Sequence, residues 1–86
     1  MVTLLITHDV DDVAHWVSSP KRAELFTKLG ITVRVFTDPT GGKRTGLVAD
    51  VPDMATFEAA MASPEAAESM KYDGVHPESM LLLIGQ

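Results

Sequence analysis

The sequence predicts an α+β domain of the ferredoxin-like kind, a βαββαβ chain folded as a four-stranded antiparallel sheet with two helices on one face. Three observations carry this reading. Asp9–Trp16 (DVDDVAHW) is echoed by Asp50–Phe57 (DVPDMATF), with identical residues at four positions and an aromatic ring closing each copy. Each copy follows a strand-like run and precedes a Ser-Pro pair, Ser19-Pro20 and Ser63-Pro64. Further runs of β-branched and apolar residues sit where such a chain needs its second and fourth strands.

The elements follow in order. Val2–His8 (VTLLITH) is short, apolar and β-branched, as a strand requires. Asp11 or Asp12 can cap a helix by accepting from free N–H groups of its first turn. Val13, Trp16 and Val17 then share a face. Ser19-Pro20 restarts the helix, because proline at a first helical position forfeits no bond. Ala23, Phe26 and Leu29 continue the apolar stripe, and Gly30 supplies a left-handed stop. Ile31–Thr37 is the second strand, and Asp38-Pro39-Thr40-Gly41-Gly42 turns it into Thr45–Val51, the third. Asp53 caps a second helix that turns Phe57 and Met61 inward and restarts at Ser63-Pro64 through Ala67 and Met70. The helices are thus expected at 12–29 and 53–71. Tyr72-Asp73-Gly74 ends the second helix, Gly74-Val75-His76-Pro77 reads as a loop, and Ser79–Ile84 is the last strand.

In spatial order 4-1-3-2 that last strand is an edge. Met80-Leu81-Leu82-Leu83-Ile84 is apolar on both faces, and the helices can cover only one. A second copy of the chain is the simplest cover, so a homodimer is expected.

Composition narrows the partners. The 86 residues, 9.3 kDa, make one domain spanning 1–86. Seven basic against twelve acidic residues give a net charge of −5, which disfavours a nucleic-acid partner. RNA-binding sheets of this topology also need exposed aromatics on their strands, and only Phe36 is available. Absence of cysteine removes disulfides, thiolate metal sites and cysteine nucleophiles. No apolar run approaches membrane-spanning length, and the start MVTLLITHDVDD lacks the basic region of a signal peptide. The chain is expected to be soluble and cytoplasmic, with no membrane partner. Gly41-Gly42-Lys43-Arg44-Thr45-Gly46 resembles a phosphate loop only at a glance. Walker spacing would place glycine at Thr37 and a hydroxyl at Arg44. No metal motif is present, and neither a metal nor a cofactor is expected.

His8 is the candidate catalytic residue. It shares strand parity with Leu4 and Ile6, which places it at the mouth of a space between sheet and helices, where imidazole can move protons near neutral pH. Its other reading is a strand-end residue bonded to neighbouring backbone. Leu4, Ile6, Trp16 and His76 complete the expected substrate-binding set, His76 because its loop leads into a strand that pairs with the first. Trp16 reads equally as core, since Phe57 matches it in the other half. His15 is expected to point outward, and Arg34 to be a solvated edge charge or an intersubunit ion pair.

Thr7-His8-x-Val10-x-Asp12-x-x-x-Trp16, Leu29-Gly30-Ile31-Thr32, and Ala62-Ser63-Pro64-Glu65 anchored by Phe57 carry a resemblance across nearly the whole chain. The sequence resembles the dimeric α/β-barrel superfamily, in which ferredoxin-like subunits pack sheet to sheet. The resemblance implies a small-molecule protein among relatives that include antibiotic-biosynthesis monooxygenases, cyclases, isomerases, haem-degrading enzymes and stress-related proteins. The monooxygenase and haem-degrading branches generally pair an asparagine with a tryptophan in the pocket, and this chain has Trp16 but no asparagine. The expected function is binding of a small apolar or aromatic compound, or cofactor-independent proton transfer on one, isomerase- or cyclase-like or monooxygenase-like. The alternative is a non-catalytic homodimeric accessory or stress-related protein.

Overall fold

Capping aspartates, the sequence signal that marks both repeats, start matching helices in the computed structural model, which describes residues 1–86. Asp12 accepts from the His15 N–H at 3.1 Å, and Asp53 from the Thr56 N–H at 2.7 Å. The elements run β1 (Val2–Val10), α1 (Val13–Ser18), α2 (Lys21–Thr27), β2 (Thr32–Thr37), β3 (Arg44–Val51), α3 (Met54–Met61), α4 (Pro64–Asp73) and β4 (Val75–Ile84). Each expected helix is two short ones divided at its Ser-Pro. Ser63 accepts from the Ala66 N–H at 3.2 Å, and Pro64 opens α4, where no N–H is needed.

The sheet is antiparallel in order β2-β3-β1-β4, the expected arrangement counted from the other edge. Leu4, Ile6 and His8 lie opposite Ala49, Leu47 and Thr45, and all six are buried beneath the helices. Leu4, Val10, Trp16 and Val51 are sealed completely. Alternate residues face the other way. Leu5 pairs with Val48 and Leu83, and Thr7 with Gly46 and Leu81. Leu81 and Leu83 are each 63% exposed, so this outer face is apolar and bare. No helix is long and apolar enough to cross a membrane.

Two details correct the expected stripes. Val17 is 43% exposed and Ala23 is exposed, whereas Leu25 and Phe26 are buried. In α2 the cause is Ser19, whose extended backbone (ψ 132°) resets the helical phase after α1. In α4, after Ser63, Ala66 rather than Ala67 takes the core position.

The largest departure is in β4, which starts at Val75 and not at Ser79. His76 pairs with Asp9, and Leu81 with Thr7. His8 alone therefore spans a stretch that Pro77–Met80 fill on β4, a wide bulge of the kind that admits proline into a sheet. Ser79 ties the bulge down. Its Oγ accepts from the Asp9 N–H at 2.8 Å and donates to the His76 carbonyl at 2.6 Å.

Candidate functional site

Parity along β1 turns His8 toward the helices, and α1 lays Trp16 across it. The imidazole meets the indole edge-on, with centroids 5.4 Å apart and planes at 86°. His8 is only 3% exposed. Its cross-strand neighbour Thr45 is buried with it and contacts it twice, Oγ1 lying 2.9 Å from the His8 carbonyl oxygen and 2.9 Å from Nδ1.

A threonine hydroxyl has one proton, and a carbonyl oxygen can only accept. When the hydroxyl donates to the carbonyl, the second contact forms only with Nδ1–H donating to Oγ1. The ring is then the Nδ1–H tautomer, with its lone pair on Nε2. Burial, reinforced by the Arg22 charge, lowers the His8 pKa from its ordinary value, while the His8 backbone bond, Asp9 and Asp73 pull the other way. Burial thus favours the neutral ring, and Nε2 has no hydrogen-bond partner in the protein.

Three further elements close the site. From α2, the Arg22 guanidinium stacks on Trp16 at 4.7 Å and donates from Nη1 to the Trp16 carbonyl at 3.3 Å. Desolvation lowers the Arg22 pKa, against the pull of Asp73. Asp73, at the end of α4, is buried beside them. From β4, Met80 of the bulge joins Met61 and Met70 on the apolar wall, with Ile6 and Phe57. Together these residues line a cavity of about 50 Å³ that opens partly to solvent. That space holds one or two waters at about 30 Å³ each. Methionine side chains are unbranched and flexible, so this wall can yield to a larger guest.

Of the residues expected from sequence, His8, Ile6 and Trp16 meet at this cavity. Leu4 does not line it, because the core encloses it completely. His76 does not line it either. It pairs with Asp9, whose side chain alternates away from His8, and its Nε2 bonds Asp11 Oδ1 at 2.5 Å on the outside. That contact raises the His76 pKa above its ordinary value. His15, expected to point outward, bonds the Tyr72 carbonyl at 2.8 Å and ties α1 to the end of α4. Arg34 is exposed and stacks on Phe36.

Thr45, Arg22 and Asp73 escaped the sequence reading. Only Asp73 leaves a local signal, a carboxyl at the negative end of a helix, where the dipole disfavours it.

Solved structures share this architecture. SnoaB, a cofactor-independent oxygenase from Streptomyces nogalater, matches with a TM-score of 0.68 and 18% identity over 98% of this chain and 87% of that one. An antibiotic biosynthesis monooxygenase matches at 0.68 and 13%, over 100% and 97%. A dimeric ferredoxin-like protein of unknown function from Jannaschia sp. CCS1 matches at 0.68 and 13%, over 99% and 97%. The fold is theirs. At these identities the likeness shows the fold and no activity. No family model matches the sequence, and no curated protein matches it.

Proposed function

We propose that the cavity binds a small apolar or aromatic molecule and that His8 is the base that moves a proton on it, without a cofactor. The observation that carries the reading is the Thr45–His8 pair. With the Thr45 hydroxyl donating to the His8 carbonyl, it leaves an imidazole with its lone pair on Nε2 in a largely apolar cavity. Nε2 takes a proton from an activated C–H or O–H of the substrate. The imidazolium so formed keeps its Nδ1–H bond to Thr45, and the nearby Asp73 favours its charge. Returning the proton to another atom of the substrate gives isomerisation or ring closure.

The bare outer face of the sheet supports a homodimer, in keeping with the dimeric description of the Jannaschia protein. The small void favours a second reading, a non-catalytic dimer in which the same residues only pack. A ligand screen by fluorescence of the only tryptophan, followed by deuterium incorporation from solvent into each bound compound, separates the two. Wild type is expected to bind and exchange, and His8→Ala to bind without exchange. Quenching by no compound, or exchange that survives His8→Ala, overturns the catalytic reading.

A further inference from the structure

One group on the cavity wall neither takes nor gives a proton in that transfer. Asp73 is 3% exposed, and its Oδ1 is the one sealed side-chain polar atom of the structure with no hydrogen-bond partner. Folding gives no reason for it to be there. The carboxyl sits on the last residue of α4, beside carbonyl oxygens that repel it, and desolvation without a partner adds to the cost. Arg22 attracts it through space but gives it no hydrogen bond. That guanidinium is turned onto Trp16, and the two side chains form no ion pair. Asp73 lines the cavity wall with Oδ1 closed off, so the wall movement that admits a guest also uncovers an acceptor still lacking a partner.

We infer that Asp73 Oδ1 accepts a hydrogen bond from a hydroxyl of the ligand, so that the site selects a hydroxylated apolar molecule over its deoxy counterpart. The inference rests on the cavity being the binding site. His8 Nε2 is also an unpartnered acceptor, so a plain hydrocarbon leaves both groups without a donor. A hydroxyl satisfies one of them and displaces the water that the empty site has room for. Discrimination of this kind is steep, because rejection comes from the protein groups left unpaired.

The test uses p-cresol and p-xylene, which differ by a hydroxyl in place of a methyl. Both are titrated into the full chain and followed by the NMR signal of the Trp16 indole. Wild type is expected to bind p-cresol at least about tenfold more tightly than p-xylene. Asp73→Leu should bring the ratio to about one by weakening p-cresol alone. Asp73→Asn, nearly isosteric and so safe for folding, should lower it several-fold, its amide oxygen being the weaker acceptor. The preference should persist in His8→Ala. Equal binding of the two probes by wild type overturns the role of Asp73 and leaves the cavity as a binding site. So does a preference that both Asp73 variants retain. Failure of wild type to bind either probe overturns the inference and the binding site together.

Discussion

Thr45→Val is the sharpest probe of the site, because it changes one hydroxyl and almost nothing else. Valine matches threonine in shape and suits a strand, so the backbone of β3 has no reason to move. The substitution strips the His8 carbonyl of one bond and the buried Nδ1–H of its only acceptor. Stranding a buried polar group costs about 1–3 kcal/mol. At about 4–8 °C per kcal/mol for a domain of this size, the thermal midpoint should fall by roughly 4–24 °C. Thr45→Ser keeps the hydroxyl and should lose much less. The ring nitrogens give the second readout. In wild type their ¹⁵N shifts should report Nδ1–H with an unprotonated Nε2. In Thr45→Val the tautomers should mix, and any exchange catalysed by His8 should slow. A variant with wild-type shifts and an unchanged midpoint refutes the assignment of the base.

Other outcomes follow from the same coordinates. Because burial lowers the folded-state pKa of His8, the stability tied to its neutral form is complete above the unfolded value of about 6.5 and is lost as pH falls through the folded value. Chemical denaturation across this range should show that slope in wild type and lose it in His8→Gln. His76 works in the opposite sense. Its raised pKa gives stability that is full below the unfolded value and lost as pH rises through the folded one, a smaller effect at an exposed site that His76→Gln should remove. If the outer face forms the proposed homodimer, Leu83→Asp there should yield monomers by light scattering, while Leu82→Asp, on the helix-facing side, should not. Gly74→Ala should destabilise by about 1 kcal/mol or more in thermal melts, since Gly74 has φ 73° and a Cβ there would lie 3.2 Å from Asp11.

The parts of the fold that were readable in the sequence are those fixed by neighbouring residues. Asp12, Asp53, Ser63-Pro64 and Gly74 each act within one turn of chain, and their signals survive folding unchanged. His8, Ile6 and Trp16 were legible as a group, because strand parity and helix placement need only local periodicity. The stripe of α2 was misjudged because a single extended residue, Ser19, resets the phase. Pro77 hid the start of β4, since proline reads as loop unless a bulge receives it. Thr45, Arg22 and Asp73 come from three elements far apart in sequence. Their meeting depends on the β1–β3 register and on how α2 and α4 lie across the sheet, which no local pattern encodes.

The bulge in β4 also bears on how such a site changes over evolutionary time. Leu81–Ile84 stays in register with Leu4–Thr7, and Val75–His76 with Asp9–Val10, on either side of Pro77–Met80. Residues gained or lost between His76 and Leu81 can therefore be absorbed without shifting either ladder. Met80, on the cavity wall, lies within that tolerant stretch, whereas Thr45 and His8 lie on the strands that cannot slip. Insertions and deletions there can remodel the entrance, and with it the range of guests admitted, while the base and its hydroxyl partner keep their geometry.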